Sequence, residues 1–310
     1  MTSTTQTNYG DTIFRNLTRA FAFLILLLIV FMVYEMYRTS ASSIEKFGWS
    51  FLTRSVWDPV QEEYGALPFI YGTLVSSAVA LVIAVPLSVG VAIFLSELAP
   101  AWLERPVSFF VELLAGIPSI VYGVWGFFVM VPWMRTTVEP LLSDHLGFIP
   151  LFRGAPYGVG MLSAGVILSI MILPIIASIS RDVLKAVPRV QKEAALALGG
   201  TRWEATRIGL SYARSGIMGA TILGLGRVLG ETMAVTMVIG NRPAISASLF
   251  DPAYTMASVL ANEFTEATTD MYLSALVEIA LVLFVITIIV NSFARLLVWS
   301  VTRKNQAGRV

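Results

Sequence analysis

The sequence contains no cysteine and only one histidine in its 310 residues. Without thiols there can be no disulfide framework, no thiolate metal site and no cysteine nucleophile. The single histidine, His145, lies beside Asp144 in a polar segment and has no second histidine with which to share a metal, so we interpret it as a loop residue. The sequence therefore predicts neither a metal site nor a cofactor.

Charge is also scarce, because charged residues make up 13% of the chain and the formal net charge is +1. A chain so close to neutrality argues against a nucleic-acid partner. The sequence has no Gly-x-x-x-x-Gly-Lys-Ser/Thr motif for a nucleotide, and its apolar runs lack the serine–lysine, paired-aspartate or histidine-rich constellations of an intramembrane enzyme. We therefore predict a protein that is not an enzyme.

Apolar residues, by contrast, make up 56% of the chain, and the mean hydropathy is +0.76. This composition is too apolar for a soluble domain and predicts an all-α polytopic membrane protein. A helix crosses a bilayer with about 20 apolar residues. Six transmembrane helices are predicted on this basis, over residues 15–37, 67–95, 107–131, 157–179, 215–239 and 272–299.

These runs divide the chain into a cytosolic N-terminal tail (1–14), a first transmembrane helix (15–37), an external loop (38–67), a transmembrane domain (68–302) and a cytosolic tail (303–310). Two further external loops are predicted at 134–156 and 241–271. A cleavable signal peptide is the alternative for the first run, because Thr39-Ser-Ala41 offers small residues for cleavage. The run is longer than the usual apolar region of a signal peptide, which has about 7–15 residues.

The distribution of Lys and Arg orients this topology, since cytosolic loops carry an excess of positive charge. Six helices place both termini on one side of the membrane. The basic residues on that side are Arg15, Arg19, Arg105, Arg181, Lys185, Arg189, Lys192, Arg202, Arg207, Arg214, Arg295, Arg303, Lys304 and Arg309. Those on the other side are Arg38, Lys46, Arg54, Arg135, Arg153 and Arg242. The termini are therefore predicted to be cytosolic.

The longest charged amphipathic stretch is the segment 188–206, on the predicted cytosolic side. Pro188 can occupy the first position of a helix, and Gly199-Gly200 can end it. Thr201 and Glu204 have the spacing of a capping box, which predicts the start of a second helix. Such a helical hairpin can lay its apolar side in a groove of a soluble partner, whereas the alternative is a solvated loop.

Of the ionisable residues within the predicted membrane helices, four are singled out: Glu112, Arg227, Glu231 and Glu278. Arg227 and Glu231 are four residues apart, so a continuous helix would let them pair directly. The pair could line a substrate path, where a guanidinium suits an anion, or it could fix helix packing together with Glu278. Glu112 is interpreted as a headgroup or packing contact.

Several motifs resemble known permeases. Glu193-Ala194-Ala195 followed by Gly199 resembles the EAA loop of permease subunits in binding-protein-dependent ABC importers. The segment Gly224–Val235 resembles the fifth-helix signature of the phosphate-specific, PstC-type permeases. Two more stretches share that resemblance: Trp57-Asp-Pro59 with the segment 64–74, and the segment 114–123.

The resemblance implies a type I ABC importer permease fold in the bacterial inner membrane, with a coupling loop at about 188–206. It implies that Glu193, Ala194, Ala195 and Gly199 contact an ATPase and that Arg227 and Glu231 line a phosphate path. The implied partners are a second, PstA-type permease, a PstB-type ATPase, a PstS-type external phosphate-binding protein, phosphate and membrane lipid.

Two alternatives to this function stay open in the sequence. The first is a permease for another oxyanion, namely sulfate, molybdate or phosphonate. The second is an ion-coupled secondary transporter or channel, which could also use buried Arg and Glu. A self-sufficient transporter has no need of a cytosolic docking hairpin, so the segment 188–206 argues for the importer.

Overall fold

A computed structural model describes residues 9–307, including the side chains apart from those of residues 9, 12 and 300–307. Within this range the chain is helical, as predicted, and forms no strand beyond two isolated bridges. The helices are α1 (Tyr9–Thr39), α2 (Ala41–Phe47), α3 (Leu67–Ile93), α4 (Ala101–Ala115), α5 (Ser119–Trp125), α6 (Val131–Trp133), α7 (Glu139–Leu146), α8 (Met161–Lys185), α9 (Arg189–Ala197), α10 (Arg202–Leu229), α11 (Met233–Val238), α12 (Met256–Glu263) and α13 (Asp270–Ala307).

Short helical turns of other types extend these elements. Three π-helical turns, Phe94–Leu98, Gly126–Met130 and Met134–Val138, continue α3, link α5 to α6 and link α6 to α7. Consequently residues 119–146 are helical almost throughout, and the external loop predicted at 134–156 is wrong for its first half. Two 3₁₀ turns lie at Gly48–Leu52 and Pro150–Phe152.

Four helices of the described chain are long and apolar enough to cross a membrane: Ile13–Thr39, Leu67–Leu98, Met161–Lys185 and Asp270–Trp299. The bent pair of α4 with the helical stretch Ser119–Leu146 would make a fifth. The helix α10 falls outside this group because it carries arginines and many glycines. The chain is thus a multi-pass membrane protein, and the number of six membrane helices stays a prediction.

The predicted third span is not one continuous helix. The chain breaks between Ala115 and Ser119 and bends by 93° there. Pro118, in an extended conformation with ψ 138°, has no N–H to continue the ladder of α4. At this proline the span is broken completely and not merely kinked.

The largest core lies where α3 packs along α8. The small residues Gly72, Ser76, Ala80 and Ala84 of α3 are all buried, as expected for a helix-packing face. On α8, a Cβ at Gly165 would lie 2.4 Å from Cγ1 of Val79, so only glycine permits this approach.

A second core joins α2, α12, the start of α3 and the start of α13. Tyr64 stacks on Tyr272 with ring centroids 5.7 Å apart, and Trp57 packs edge-on against Tyr64. The predicted external loop 38–67 is therefore largely a packed structure. The helix α1 packs along α13, and its many apolar side chains are exposed, as expected of a helix that faces lipid.

Candidate functional site

The segment 188–206 forms the predicted helical hairpin, and its turn has well-defined hydrogen bonds. After α9, the N–H of Gly200 donates to the carbonyl of Ala195 and the N–H of Gly199 to the carbonyl of Leu196, each at 3.0 Å. These two bonds make a Schellman motif. Gly199 has φ +84°, a left-handed conformation that favours glycine. Pro188 lies one residue before α9 and not at its first position, which is a small correction.

The second helix of the hairpin, α10, begins with the predicted capping box. The N–H of Thr201 donates to Oε2 of Glu204 at 2.7 Å, and the N–H of Glu204 donates to Oγ1 of Thr201 at 3.3 Å. The hydrogen bonds from the Thr201 N–H and hydroxyl lower the pKa of the Glu204 carboxyl. Two orphan amides at the helix start are thereby satisfied.

The hairpin is anchored to the rest of the chain by polar contacts. Nζ of Lys192 lies 2.5 Å from Oε1 of Glu97, at the end of the π turn that follows α3. The hydroxyl of Tyr212 donates to Oε1 of Gln191 at 2.9 Å, which ties α9 to α10. These contacts hold α9 against the ends of two long helices.

The hairpin presents the apolar side that its sequence predicts, and the structure identifies the residues that form it. Four large side chains are exposed there: Val190, Leu196, Leu198 and Trp203. Leu198 is 90% exposed, and we call these four residues the hairpin surface. Their signal in the sequence is the occurrence of apolar residues within a charged segment.

The predicted EAA-loop residues lie in the same hairpin. Glu193, Ala194 and Gly199 are exposed beside the hairpin surface, whereas Ala195 is buried against α10 and provides the carbonyl of the Schellman bond. The structure thus brings the four predicted coupling residues together, three of them at the surface and one in the support beneath it.

The direct pairing predicted for Arg227 and Glu231 is wrong. The helix α10 ends at Leu229, and Gly230 to Thr232 are not helical, so the two side chains do not share a helical face. Neither residue belongs to an ion pair within the described chain. The predicted fifth span, 215–239, is therefore two helices with a break before α11.

Glu231 is 8% exposed and acts at the break. Its Oε1 accepts a hydrogen bond from the N–H of Ala234 at 3.3 Å, at the beginning of α11. A carboxylate in this position satisfies an orphan amide and complements the positive end of the helix. Glu231 therefore stabilises the start of α11, just after the break in the helix.

The other two ionisable residues also find partners away from Arg227. Glu278 accepts a hydrogen bond from the hydroxyl of Ser43 at 2.5 Å, and the N–H of Ser43 donates to Oγ of Ser274 at 3.1 Å. The predicted association of Glu278 with Arg227 and Glu231 is therefore wrong. Oε1 of Glu112 lies 2.8 Å from Nη2 of Arg181, so the packing contact predicted for Glu112 is an ion pair.

Arg227 itself is exposed and faces a groove between α10 and α13 with a volume of about 1030 Å³. The floor includes Ile175 of α8. Polar side chains on the α13 wall are Thr287, Asn291, Ser292 and Arg295. We call this the α10–α13 groove. It gives the Arg227 guanidinium an open, partly apolar setting that an anion can reach.

Comparison with known proteins covers nearly the whole chain. The family model "Binding-protein-dependent transport system inner membrane component" matches residues 84–303. A protein of Mesorhizobium japonicum named "Phosphate transport system permease protein PstC" is 51% identical over 302 residues, which are 96% of this chain and 92% of the relative. A Pasteurella multocida protein of the same name is 48% identical, over 95% of this chain and 93% of its own.

Solved structures show the same fold. A chain of the MetNI methionine ABC transporter, solved in inward-facing conformations, aligns with a TM-score of 0.56 and 18% identity. The alignment covers 79% of this chain and 99% of the other. At this identity the likeness concerns the fold alone, and it confirms the predicted ABC importer permease fold. The family model and the two relatives lead to one conclusion: the chain belongs to the binding-protein-dependent transport system inner membrane components.

Proposed function

We propose that this chain is a permease subunit of an ATP-driven phosphate importer in the bacterial inner membrane. It forms half of the translocation path and takes its energy from a separate ATPase. The observation that carries the proposal is the exposed helical hairpin of residues 188–206, in which a Schellman motif ends the first helix. It occurs in a chain whose relatives, at 51% and 48% identity, are named phosphate transport permeases.

The hairpin has the properties of a docking element. Its shape is fixed by the Schellman motif and the capping box, and its apolar side chains Leu198 and Trp203 project from it. A helix with an exposed apolar face binds a groove of a partner protein. We propose that this partner is a PstB-type ATPase, which places the hairpin and both termini in the cytosol.

Arg227 supports a role in the phosphate path. It is exposed in the α10–α13 groove and unpaired within the described chain, so its charge is available to an anion. A guanidinium stays protonated at any relevant pH and matches two phosphate oxygens. We propose that Arg227 contacts phosphate. We propose that Glu231 shapes the path indirectly, by holding the start of α11 in place after the helix break.

The remaining partners follow from the same role. One chain gives one wall of a path, so a second, PstA-type permease is required to close it. A PstS-type binding protein would deliver phosphate on the external side, to the packed structure around residues 38–67 and the loops near α12. The hairpin at the opposite end leaves that side free.

The test is uptake by proteoliposomes that contain this chain, a PstA-type permease, a PstB-type ATPase and the external binding protein. We expect ATP-dependent accumulation of radioactive phosphate and no accumulation of sulfate. Arg227→Gln should abolish uptake with the complex intact, and Arg227→Lys should restore part of it because the charge remains without the fork of donors.

The matched control is Arg214→Gln, since Arg214 is an exposed arginine of α10 outside the groove. This variant should transport normally. Accumulation of sulfate in place of phosphate, or phosphate uptake driven by an ion gradient without the ATPase, would refute the proposal.

A further inference from the structure

The α13 wall of the α10–α13 groove carries polar residues in a regular order. Thr287, Asn291 and Arg295 are four residues apart and therefore lie on one face of the helix in successive turns. From Thr287 to Arg295 the helix rises about 12 Å. Such a row gives a polar track along an otherwise apolar helix.

The register between the two walls is set at Gly226. A Cβ built on Gly226 would lie 3.8 Å from Oδ1 of Asn291, so the asparagine faces the backbone of α10. Nδ2 of Asn291 donates to the carbonyl of Thr287 at 2.9 Å, which holds the amide in place and leaves a second N–H for another acceptor. Arg227 follows Gly226 directly and lines the same groove as Asn291.

The groove carries positive charge without a counter-charge. Arg227 and Arg295 are both exposed in it, and neither takes part in an ion pair or side-chain hydrogen bond within the described chain. The residues that line the groove include no Asp or Glu. An unpaired arginine within a membrane helix is costly, so a partner for Arg227 is expected from outside this chain. Arg295, near the predicted cytosolic end of α13, adds a second positive charge to the same groove.

We propose that Arg227, Asn291 and Arg295 form a phosphate-type oxyanion site in the α10–α13 groove. Each guanidinium donates a fork of N–H groups to two oxygens, and Asn291 donates its free N–H between them. Arg295 is one turn beyond Asn291, so an anion moves from Arg227 towards Arg295 by exchanging one guanidinium for the other. If the bound anion is the phosphate that is transported, this proposal depends on the proposed function.

The same chemistry suits the headgroup of an acidic phospholipid. The groove, at about 1030 Å³, is at the upper end of small-molecule sites and admits either a hydrated phosphate or a lipid headgroup. The two ligands behave differently in binding experiments. Inorganic phosphate competes with other soluble oxyanions, whereas a lipid co-purifies with the protein and is not displaced by soluble anions.

The experiment uses the complex of this chain with the second permease and the ATPase, purified in a maltoside detergent that has no phosphate. Equilibrium binding of radioactive phosphate is measured for the wild type, Arg295→Gln, Asn291→Leu and the control Arg214→Gln. We expect Arg295→Gln to weaken binding about ten- to hundredfold, as for the loss of a charge-assisted hydrogen bond, with a smaller loss for Asn291→Leu and none for Arg214→Gln.

A second arm measures acidic lipid retained by each complex, using native mass spectrometry. Loss of lipid in Arg295→Gln with unchanged phosphate binding would assign the site to lipid phosphate. Unchanged binding of both would overturn the site. If the complex binds sulfate and not phosphate, the proposed cargo fails, yet dependence of sulfate binding on Arg295 would still support the site.

Discussion

Substitutions at Gly199 test whether the backbone conformation of the hairpin is needed for docking. The residue has φ +84°, and a Cβ built there meets no atom within 4 Å. A larger side chain is therefore limited by conformation and not by space. Its N–H also makes one of the two Schellman bonds, to Leu196 at 3.0 Å. Gly199→Val and Gly199→Asn both fill the open space, but only valine is excluded from the left-handed region.

The magnitude follows from the cost of that conformation. An L-residue in the left-handed helical region costs about 1–2 kcal/mol, whereas asparagine is one of the residues that tolerate it. A loss of about 1–2 kcal/mol is a factor of about 5–30 in a conformational equilibrium. The ratio of the docking shape to its alternatives should therefore fall about 5–30-fold in the valine variant.

The assay is the affinity of the ATPase for the permease pair in nanodiscs, together with phosphate uptake normalised to inserted protein. Gly199→Val should weaken the ATPase affinity by up to about 30-fold, and Gly199→Asn should stay close to the wild type. Gly90→Val is the matched control, because Gly90 of α3 also has open space around its Cβ and no left-handed backbone. Equal behaviour of the valine and asparagine variants at position 199 would refute the reasoning.

Three further outcomes are expected. In this cysteine-free chain, a cysteine at the exposed Leu198 should be labelled only from the cytosol and one at Asp144 only from outside; reversed labelling would contradict the orientation. Because the pKa of Glu204 is lowered, its stabilisation of the hairpin is present above the ordinary carboxyl range and is lost as pH falls through the folded value. Acid should therefore lower the protection factors of the amides at the start of α10, relative to their intrinsic exchange rates at each pH, and Glu204→Gln should flatten this pH dependence. Ser43→Ala should lower the thermal stability of the purified chain by about 1–3 kcal/mol, since Glu278 loses a buried partner, and an unchanged melting temperature would argue against that contact.

The hairpin was predictable because its determinants are local. Caps depend on residues within one turn of each other, so Gly199-Gly200 and Thr201 with Glu204 specify the end of one helix and the start of the next from sequence alone. Both motifs are present in the structure. The hairpin surface follows once the helices are placed, because it consists of the apolar residues that no other element covers.

The pairing of Arg227 with Glu231 was not predictable in the same way. It depended on a continuous helix through Gly230, and a glycine within an apolar run is compatible both with close packing and with a break. The contact of Glu278 with Ser43 joins residues 235 positions apart. Contacts of this kind depend on the arrangement of whole helices, which the helical period does not specify.

The break at Gly230 also changes how the two proposed sites relate to each other. The helix α10 is continuous over 28 residues, from the hairpin to Leu229, and Arg227 lies about 38 Å along it from Arg202. The proposed ATPase contact and the proposed anion contact are therefore at opposite ends of one helix, and the chain becomes non-helical just beyond Arg227. On this proposal a displacement of the hairpin would move Arg227 relative to α13, whereas Glu231 lies on the far side of the break and accepts a hydrogen bond from α11. An ion pair between the two residues would oppose such a movement, and the described chain contains none.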